Sequence, residues 1–325
     1  MADLSIEYLG IKLKNPIIVA ASGLVSTVDG VKKASEAGAG AIVLKSLFEE
    51  QLRAEMSEIE LGDQTSSEAA AFIEQMGIHG GAGDYLRLIR DAKSVSGVPI
   101  IASVNCVEGD LWVDYAEQIE SAGADALELN IGIMPRSPSE TAKEIEDRIA
   151  AVVRNVSVRT SLPLAVKLGP YFTNPANLVE RLAGAGAGAA VLFNRFYRLD
   201  VDLAASSLAA GPMRSGDDEY HESLRWIANM YGAVSCELVA GSGIHSAESV
   251  LKLISVGAAA TQICSAIYRG GWNALSLIVQ ELPVRMDVLG IASISAFRGK
   301  LSRRSNSESG GYERLQYVKA LTGIS

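Results

Sequence analysis

The sequence predicts a single (β/α)8 TIM barrel, and three observations lead to this fold. Four segments share one form, in which a helix ends on glycine, small residues make a turn, and a short apolar strand follows. Four further apolar segments lie between them, and helical stretches separate all eight. The apolar segments show no alternation with polar residues, which indicates burial on both faces and parallel pairing. Eight strands that are each followed by a helix are the order of a barrel.

Each predicted strand can be placed in the chain. The glycine-turn segments are EAGAGAIVLKS (36–46), SAGADALELN (121–130), LAGAGAGAAVLFN (182–194) and SVGAAATQICS (255–265). The other four strands are PIIVAASG (16–23), VPIIASVN (98–105), PLAVKLG (163–169) and ELVAGSG (237–243). A doubly wound sheet is the alternative, but it would usually show GxGxxG at its first βα turn, and AASGLVS does not match that motif.

Two connections are longer than the rest, and both follow strands. They are residues 46–83 after strand two and residues 195–218 after strand six. Long loops on this face of a barrel usually cover or line the site. We expect one domain over residues 1–290. Residues 291–325 are expected to form a C-terminal extension, with a basic cluster from Arg298 to Arg304, that is solvated or packs on the barrel or a partner subunit.

Composition narrows the class of protein. The chain has 325 residues, of which 48% are hydrophobic, and a net charge of −9, which argues against a nucleic-acid partner. No apolar run approaches a membrane span, and the N-terminal sequence lacks the pattern of a signal peptide. The three cysteines are far apart and no metal-binding spacing occurs, so we expect a cytoplasmic protein without a metal.

Polar residues stand at the ends of the predicted strands, where a barrel carries its chemistry. Two lysines and three asparagines are expected to point into one mouth, together with small residues at the ends of strands seven and eight. Asparagine offers a donor and an acceptor to a planar ring with imide edges, and lysine stabilises negative charge on it. The glycine-rich turn AGSG and the helix starts after strands seven and eight suit a phosphate.

These residues resemble the dihydroorotate dehydrogenase family of FMN-containing barrels. The similar segments lie between residues 13 and 271 in the family's order, and as a set they are specific. They are LKNPIIVAASGL, AIVLKS, EQMGIHGGAGDYL, ASVN, ADALELNI, LPLAVKLGPY, FN, VAGSGIHSAE and GAAATQICSAIYRGG.

The resemblance implies a flavoprotein of pyrimidine metabolism with FMN as cofactor, commonly a homodimer, and it assigns site residues. The implied FMN-binding residues are Ala21, Ser22, Gly23, Lys45, Ser46, Asn105, Asn130, Lys167, Phe193, Ser215, Gly216, Gly241, Ser242, Gly243, Cys264 and Ser265. The implied substrate-binding residues are Lys45, Glu74, Met76, Gly77, Asn130, Asn194 and Arg195.

The chain departs from the family on the substrate side. The family's strand-four asparagine is followed by a short loop with a Cys or Ser base and then Pro-Asn, whereas here the loop is NIGIMPRSPS, with Ile133 near the base position. Glu74 replaces a substrate-binding asparagine. Arg195 stands where a small hydroxyl residue is common, and Cys264 where glycine is usual. We therefore expect an FMN-binding barrel that does not oxidise dihydroorotate by the family's route, because removing a proton from carbon needs a positioned base.

Other residues could serve as the base, and each can also be explained by a structural role. Four candidates are considered first: Lys45, Ser46, His79 and Cys106. A plain serine needs activation, His79 suits an exposed loop equally well, and free cysteine is often a small buried hydrophobe. Ser137, Ser139 and Tyr171 are further possibilities. His221 and His245 are expected as packing or helix-start residues.

The sequence thus predicts an FMN-dependent oxidoreductase acting on CH–CH groups of a small cyclic or carboxylate-bearing substrate, with an unidentified electron donor or acceptor. Lys45, Arg195 and Arg136 are the cations that could pair with a carboxylate. Two alternatives stay open. One is a flavin-binding or regulatory protein without turnover, and the other is a flavin-free barrel that binds a phosphorylated metabolite.

Overall fold

The computed structural model describes residues 2–53, 81–106, 110–135, 137–195, 198–305, 317–319 and 321–323. Several predicted residues lie outside this described part: Glu74, Met76, Gly77, His79, Arg136 and the side chain of Cys106.

The predicted barrel is confirmed. The strands are β1 (Ile6–Tyr8), β2 (Ile11–Leu13), β3 (Ile17–Val19), β4 (Ala41–Val43), β5 (Leu47–Phe48), β6 (Ile100–Cys106), β7 (Ala126–Ile131), β8 (Leu164–Leu168), β9 (Ala189–Leu192), β10 (Leu199–Asp202), β11 (Ser207–Ala210), β12 (Glu237–Ala240) and β13 (Ala260–Ile263). Eight of them pair in the order β4-β3-β13-β12-β9-β8-β7-β6, and β4 pairs with β6 to close the sheet. All eight pairings are parallel, and β5 adds to β6 outside the ring.

A helix follows each barrel strand, as predicted. The helices are α1 (Val28–Glu36), α2 (Ala82–Val95), α3 (Asp110–Ser121), α4 (Ala142–Ser157), α5 (Pro175–Gly184), α6 (Tyr220–Met230), α7 (Ala247–Ser255), α8 (Ser265–Val288) and the short α9 (Ile294–Phe297). In α4, Ile145, Ile149, Val153 and Val156 are buried at helical spacing, and this apolar stripe covers the sheet. The Thr141–Glu144 capping box fixes where that helix begins. None of the helices in the described ranges is both long and apolar enough to cross a membrane.

The repeated glycine turns adopt the predicted left-handed conformation. Gly38, Gly123, Gly186 and Gly257 have φ values of 102°, 94°, 112° and 124°. A side chain at Gly257 would place its Cβ 2.3 Å from the Tyr231 ring, so this turn requires glycine for space as well as for φ. The four turns therefore end their helices and start the next strands close to the barrel.

The loop after β9 holds an antiparallel hairpin of β10 and β11, which the sequence had indicated only as a long connection. All but one of its strand residues are exposed. Its base is closed by the Gly211 N–H, which donates to the Arg198 carbonyl at 2.6 Å. The hairpin therefore stands away from the barrel, beside the carboxyl ends of the strands.

Residues 293–302 of the C-terminal extension pack on the barrel. The Ile294 N–H donates to the Asp3 carbonyl, and the Leu301 N–H to the Ser255 carbonyl at the end of α7. Ile294 is fully buried. Arg298 donates to the Gly257 carbonyl at 3.0 Å and lies over the Tyr231 ring. The Arg298 guanidinium thus binds the turn after α7 and covers an aromatic face.

Candidate functional site

Polar residues of three adjacent strands lie at one level near the carboxyl ends of the barrel strands. In the sheet register Asn105 of β6 is opposite Asn130 of β7, and Asn130 is opposite Lys167 of β8. The Asn194 amide, which follows β9, donates to Asn130 Oδ1 at 2.9 Å. Pairing of parallel strands therefore brings together four of the side chains that the sequence placed at strand ends.

Lys167 belongs to a polar network inside the barrel. Its ammonium donates to Gln262 Oε1 at 2.8 Å and lies 3.7 Å from Glu128 Oε1. The Gln262 amide donates in turn to the other oxygen of Glu128. Glu128 Oε1 accepts no hydrogen bond from the described residues, and both charged side chains are buried. Attraction between Lys167 and Glu128 offsets the free-energy cost of burying the two charges. It also fixes where the ammonium points.

A cavity of about 480 Å³ opens beside this network, over the ends of β8, β9, β12 and β13. This volume lies in the range of about 300–1,000 Å³ that is usual for cofactor sites. Nine of the predicted FMN-binding residues line it: Ala21, Lys167, Phe193, Ser215, Gly241, Ser242, Gly243, Cys264 and Ser265. Two of the predicted substrate-binding residues, Asn194 and Arg195, also contribute to its wall.

One end of the cavity is rich in hydroxyl and backbone N–H groups. The Ser215 and Ser265 hydroxyls lie 2.6 Å apart, and the Gly243 N–H donates to Ser215 Oγ at 3.1 Å. Ser242 and Gly243 both have positive φ values, 67° and 70°. Helix α8 begins here at Ser265, and the Cys264 side chain makes no cap hydrogen bond. Hydroxyls, a tight turn and a helix N-terminus are a combination that favours an anion.

His245 lies behind this end of the cavity and contacts Ser265, which lines it. Its Nε2 lies 2.6 Å from Ser265 Oγ, and its Nδ1 is hydrogen-bonded to Asp217. Arg269 donates to Asp217 at 2.8 Å and to the Ser215 carbonyl at 2.8 Å. The sequence did place His245 at a helix start, but gave no sign of these partners, which come from two other loops.

Cys264 lies between the two ends of the cavity. Burial raises the pKa of its thiol, and the nearby Ser22 hydroxyl and Lys167 ammonium oppose that shift. The thiol is therefore neutral near pH 7 and adds a weakly polar surface to the cavity wall. It is suited to contact a ligand and unsuited to attack one.

A second cavity, of about 420 Å³, adjoins the first and shares Phe193, Asn194, Arg195 and Ser242 with it. Arg195 and Arg198 both bind Glu219, at 3.0 and 3.3 Å. Hydrogen bonds from Gly216 and Arg195 hold the pKa of Glu219 below its ordinary value against the effect of burial. One carboxylate thus faces two guanidinium groups, while Asp218 and Glu222 line the same cavity.

Ile133 lies in a different place from both cavities described so far. It lines a smaller cavity of about 250 Å³ together with Ile131, Ile145, Ile149 and Phe172, and it packs against the core. The predicted alternative Tyr171 also lines this cavity and the second one. The Ser137 and Ser139 hydroxyls bond to each other on the exposed surface.

Lys45 and Ser46 line a separate cavity of about 310 Å³ with Thr27 and Tyr85. The Ser46 hydroxyl is hydrogen-bonded to Ser103 at 2.8 Å. The Lys45 ammonium makes no hydrogen bond or ion pair with the residues that the structure describes. Seven predicted FMN-binding residues do not line the first cavity: Ser22, Gly23, Lys45, Ser46, Asn105, Asn130 and Gly216.

Sequence reasoning missed Glu128, Gln262, Asp217 and Arg269. The signal for the first two was present, since each interrupts an otherwise apolar strand, in ALELN and ATQI. Asp217 and Arg269 carried no local signal. Within the described ranges, no group of three or more His, Cys, Asp or Glu side chains is arranged to hold a metal.

Fold and site together define a parallel (β/α)8 barrel whose cavity has one end rich in hydroxyl and backbone N–H groups and another end beside Lys167 and Asn194. The chain belongs to the dihydroorotate dehydrogenase family, since the family described as "Dihydroorotate dehydrogenase" matches residues 3–286. This family membership was the prediction from the motifs, and it is confirmed.

The curated relatives carry two different names. Dihydroorotate dehydrogenase B (NAD(+)), catalytic subunit, of Thermoplasma acidophilum is 27% identical over 300 residues, which cover 88% of this chain and 95% of that protein. Dihydroorotate dehydrogenase A (fumarate) of Limosilactobacillus reuteri is 28% identical over 302 residues, covering 90% and 96%. The B-type catalytic subunit of Anoxybacillus flavithermus is 29% identical over 310 residues, covering 92% and 96%. Such even similarity does not favour one named electron acceptor over the other.

Proposed function

We propose that this chain is an FMN-dependent oxidoreductase of the dihydroorotate dehydrogenase-like type, which acts on a small cyclic or carboxylate-bearing substrate. The observation that carries the proposal is a single cavity with two chemically different ends. Hydroxyls, the Ser242–Gly243 turn and the start of α8 form one end. Lys167 and the Asn194 amide, which is bonded to Asn130, form the other.

The residues present fit FMN. A Cβ on Gly243 would lie 2.4 Å from the Tyr220 nitrogen, and a Cβ on Gly241 3.1 Å from the Phe193 carbonyl oxygen. Glycine therefore keeps the backbone tight under the anion end, where Ser215, Ser265 and Gly243 would hold the phosphate. Ala20 and Ala21 give the cavity an apolar wall that would face the ring. Lys167 would face the polar edge of that ring.

Bound FMN supplies hydride and electron transfer. The residues of this chain would bind and orient the cofactor and the substrate. The Lys167 ammonium, held by Gln262 and Glu128, would stabilise negative charge on the reduced ring. Asn130 and Asn194 would orient groups with imide or amide edges. Arg195 lies between the two cavities, where it would attract a substrate carboxylate while Glu219 keeps it in place.

We propose further that dihydroorotate is not oxidised by the family's route. The loop after β7 offers the apolar Ile133, which packs with Ile145 and Phe172 and accepts no proton. A positioned base contributes about 10² to 10⁴ in rate. We therefore expect turnover of dihydroorotate well below ordinary enzyme rates of roughly 1 per second.

The first experiment is the visible spectrum of the purified, FMN-reconstituted protein, with mass spectrometry of any ligand that co-purifies. Flavin bands that stay with the protein through gel filtration support the proposal. Absence of bound flavin after reconstitution would count against it and in favour of the flavin-free alternative.

The second experiment separates turnover from binding alone. The loaded protein is photoreduced, and reoxidation is followed with fumarate, NAD⁺ and other acceptors. A screen of cyclic and carboxylate-bearing compounds then tests reduction of the flavin. A protein that holds flavin but is reduced by none of them supports the second candidate, a flavin-binding or regulatory protein, which the apolar side chain of Ile133 favours.

A further inference from the structure

A row of hydrogen bonds joins three loops at the anion end of the cavity. It runs from Asp217 through His245 to Ser265, then to Ser215 and the Gly243 N–H. Ser215 and Ser265 line the cavity, and His245 stands behind them. Its side chain is only 12% exposed, so it is shielded by the loops around it. The protonation state of His245 decides which group donates and which accepts in the hydrogen bonds of Ser265 and Ser215.

When His245 is neutral, the hydrogen bonds of the row use all of its hydroxyl protons. Asp217 accepts the Nδ1 proton, so Nε2 carries a lone pair and accepts the Ser265 hydroxyl proton. The Ser215 hydroxyl then donates to Ser265, and the Gly243 N–H donates to Ser215. Every hydroxyl proton is used inside the row. Neither serine has a proton left for a ligand in the cavity.

Protonation of His245 reverses this direction. Both ring nitrogens then donate, so Nε2–H donates to Ser265 Oγ. One proton of the Ser215–Ser265 pair is no longer needed inside the row, whichever serine donates to the other. That proton is free to be donated into the cavity, and a positive charge is added behind it.

The surrounding charges match a dianion more closely when His245 is protonated. Arg269 balances Asp217, so the group of three is neutral when His245 is neutral. Arg214, which lies 5.6 Å from the centre of the Tyr268 ring, adds one cation to the rim. On α7, Glu248 is paired with Lys252 at 2.7 Å and lies 3.6 Å from Arg285. Protonation brings the local charge to about two, which matches a phosphomonoester dianion.

We propose that His245 is a proton-coupled positioning residue: a phosphate in this cavity binds with uptake of one proton by His245, which frees one hydroxyl proton of the Ser265–Ser215 pair for donation to the phosphate. The inference rests on the proposed function, because FMN supplies the phosphate. A Ser–His–Asp row also occurs in serine hydrolases, where the serine attacks an acyl group. Here Ser265 Oγ is engaged by Ser215 as well as by His245, which favours a role in binding.

The experiment measures protons taken up when FMN binds to the full-length apoprotein at pH 8. Calorimetry is run in HEPES and in Tris, and the difference in apparent enthalpy gives the proton count. A phosphomonoester loses its second proton near pH 6, so at pH 8 FMN itself is already a dianion. We expect uptake of roughly one proton, and a dissociation constant that rises toward tenfold per pH unit as pH increases.

Three comparisons identify the group responsible. Riboflavin lacks the phosphate and should bind without proton uptake. His245→Gln keeps an N–H donor toward Ser265 but cannot titrate, so FMN should bind with no uptake and with a dissociation constant independent of pH. His221→Gln, a change in the adjoining cavity, should behave as the unaltered protein does.

Equal proton uptake in the unaltered protein and His245→Gln would overturn the inference while leaving FMN binding intact. Covalent labelling of Ser265 by a fluorophosphonate would also overturn it. If FMN does not bind, the proposed function fails instead. The role of His245 is then tested with inorganic phosphate through the ring NMR signals, which are few because the chain has 3 histidines. Phosphate should shift the His245 ring signals toward those of the protonated imidazole, and unchanged signals would refute the role.

Discussion

Lys167 and Glu128 show how one polar pair is held inside an apolar barrel. Among the described residues, one oxygen of Glu128 accepts a hydrogen bond, from Gln262, and its other oxygen faces the Lys167 ammonium. The pair therefore depends on both of its charges. Because the ammonium also lines the cavity, the same group that stabilises the interior is available to a ligand.

We predict that Lys167→Met destabilises the fold by about 3–5 kcal/mol, because Glu128 is left as an unpaired buried charge. The double change Lys167→Met with Glu128→Gln should recover most of that loss. Urea unfolding of both variants measures the difference. Equal destabilisation in the single and double variants would show that loss of the ion pair is not the reason. Neither variant should bind FMN with full affinity, because both lack the Lys167 ammonium.

Gly243 supports the anion end through its backbone. Its φ of 70° and the 2.4 Å approach of a would-be Cβ to the Tyr220 nitrogen both exclude a side chain. We predict that Gly243→Ala costs about 1–3 kcal/mol of stability and weakens FMN more than riboflavin. Gly184→Ala at the end of α5 is the matched control, since nothing lies within 4 Å of its would-be Cβ. Similar effects of the two changes would contradict this account.

Cys264 gives a prediction about pH. Burial raises the pKa of its thiol, and the thiolate is the reactive form, so alkylation by iodoacetamide should be slow at pH 7 and faster as pH rises. Because the folded protein favours the neutral thiol, this group also opposes folding at alkaline pH rather than at acid pH. Peptide mass spectrometry after timed labelling measures the rate. Rapid modification at pH 7, or no protection by FMN, would be the contrary result.

At the scale of elements, the molecule carries two additions to the barrel with different burial. The β10–β11 hairpin exposes its apolar side chains, among them Leu203 and Leu208 at 85% and 73%. The segment 293–302 instead buries Ile294 completely between the N-terminal strand region and α7. Burial, and not position outside the barrel, decides which of them stabilises the fold.

We predict that replacing residues 199–210 with a short glycine–serine linker changes the free energy of unfolding by less than about 1 kcal/mol, because little buried apolar area is lost. The linker is geometrically simple, since Arg198 and Gly211 are already hydrogen-bonded. Ile294→Ala provides the contrast and should cost about 2–5 kcal/mol. A large loss on removing the hairpin would show that it contacts the barrel in solution.

For the whole molecule, the cavity joins strand ends from opposite parts of the chain, so a ligand there stabilises the closed barrel. We predict that FMN at 100 times its dissociation constant stabilises the fold by about 2.7 kcal/mol, provided that it binds only the folded state. Thermal unfolding at several FMN concentrations tests this prediction. A midpoint that does not move while flavin remains bound would mean that FMN also binds the unfolded chain.

Much of the architecture could be predicted because its signals are local. Apolar runs without alternation, glycine caps at Gly38, Gly123, Gly186 and Gly257, and helix-start residues each act within a few positions of the chain. Strand order followed, since parallel strands with helical connections close in sequence order. The level shared by Asn105, Asn130 and Lys167 followed from their common place at strand ends.

The sequence by itself thus determined the barrel, the family resemblance and the polar mouth. Only the tertiary structure decided which groups meet. Glu128 and Gln262 are 134 positions apart and become partners because the barrel closes around them. Asp217, His245 and Ser265 come from three loops whose approach depends on strand register and on the turn at Gly243. Such contacts carry no local signal, since each depends on the positions of elements remote in the chain.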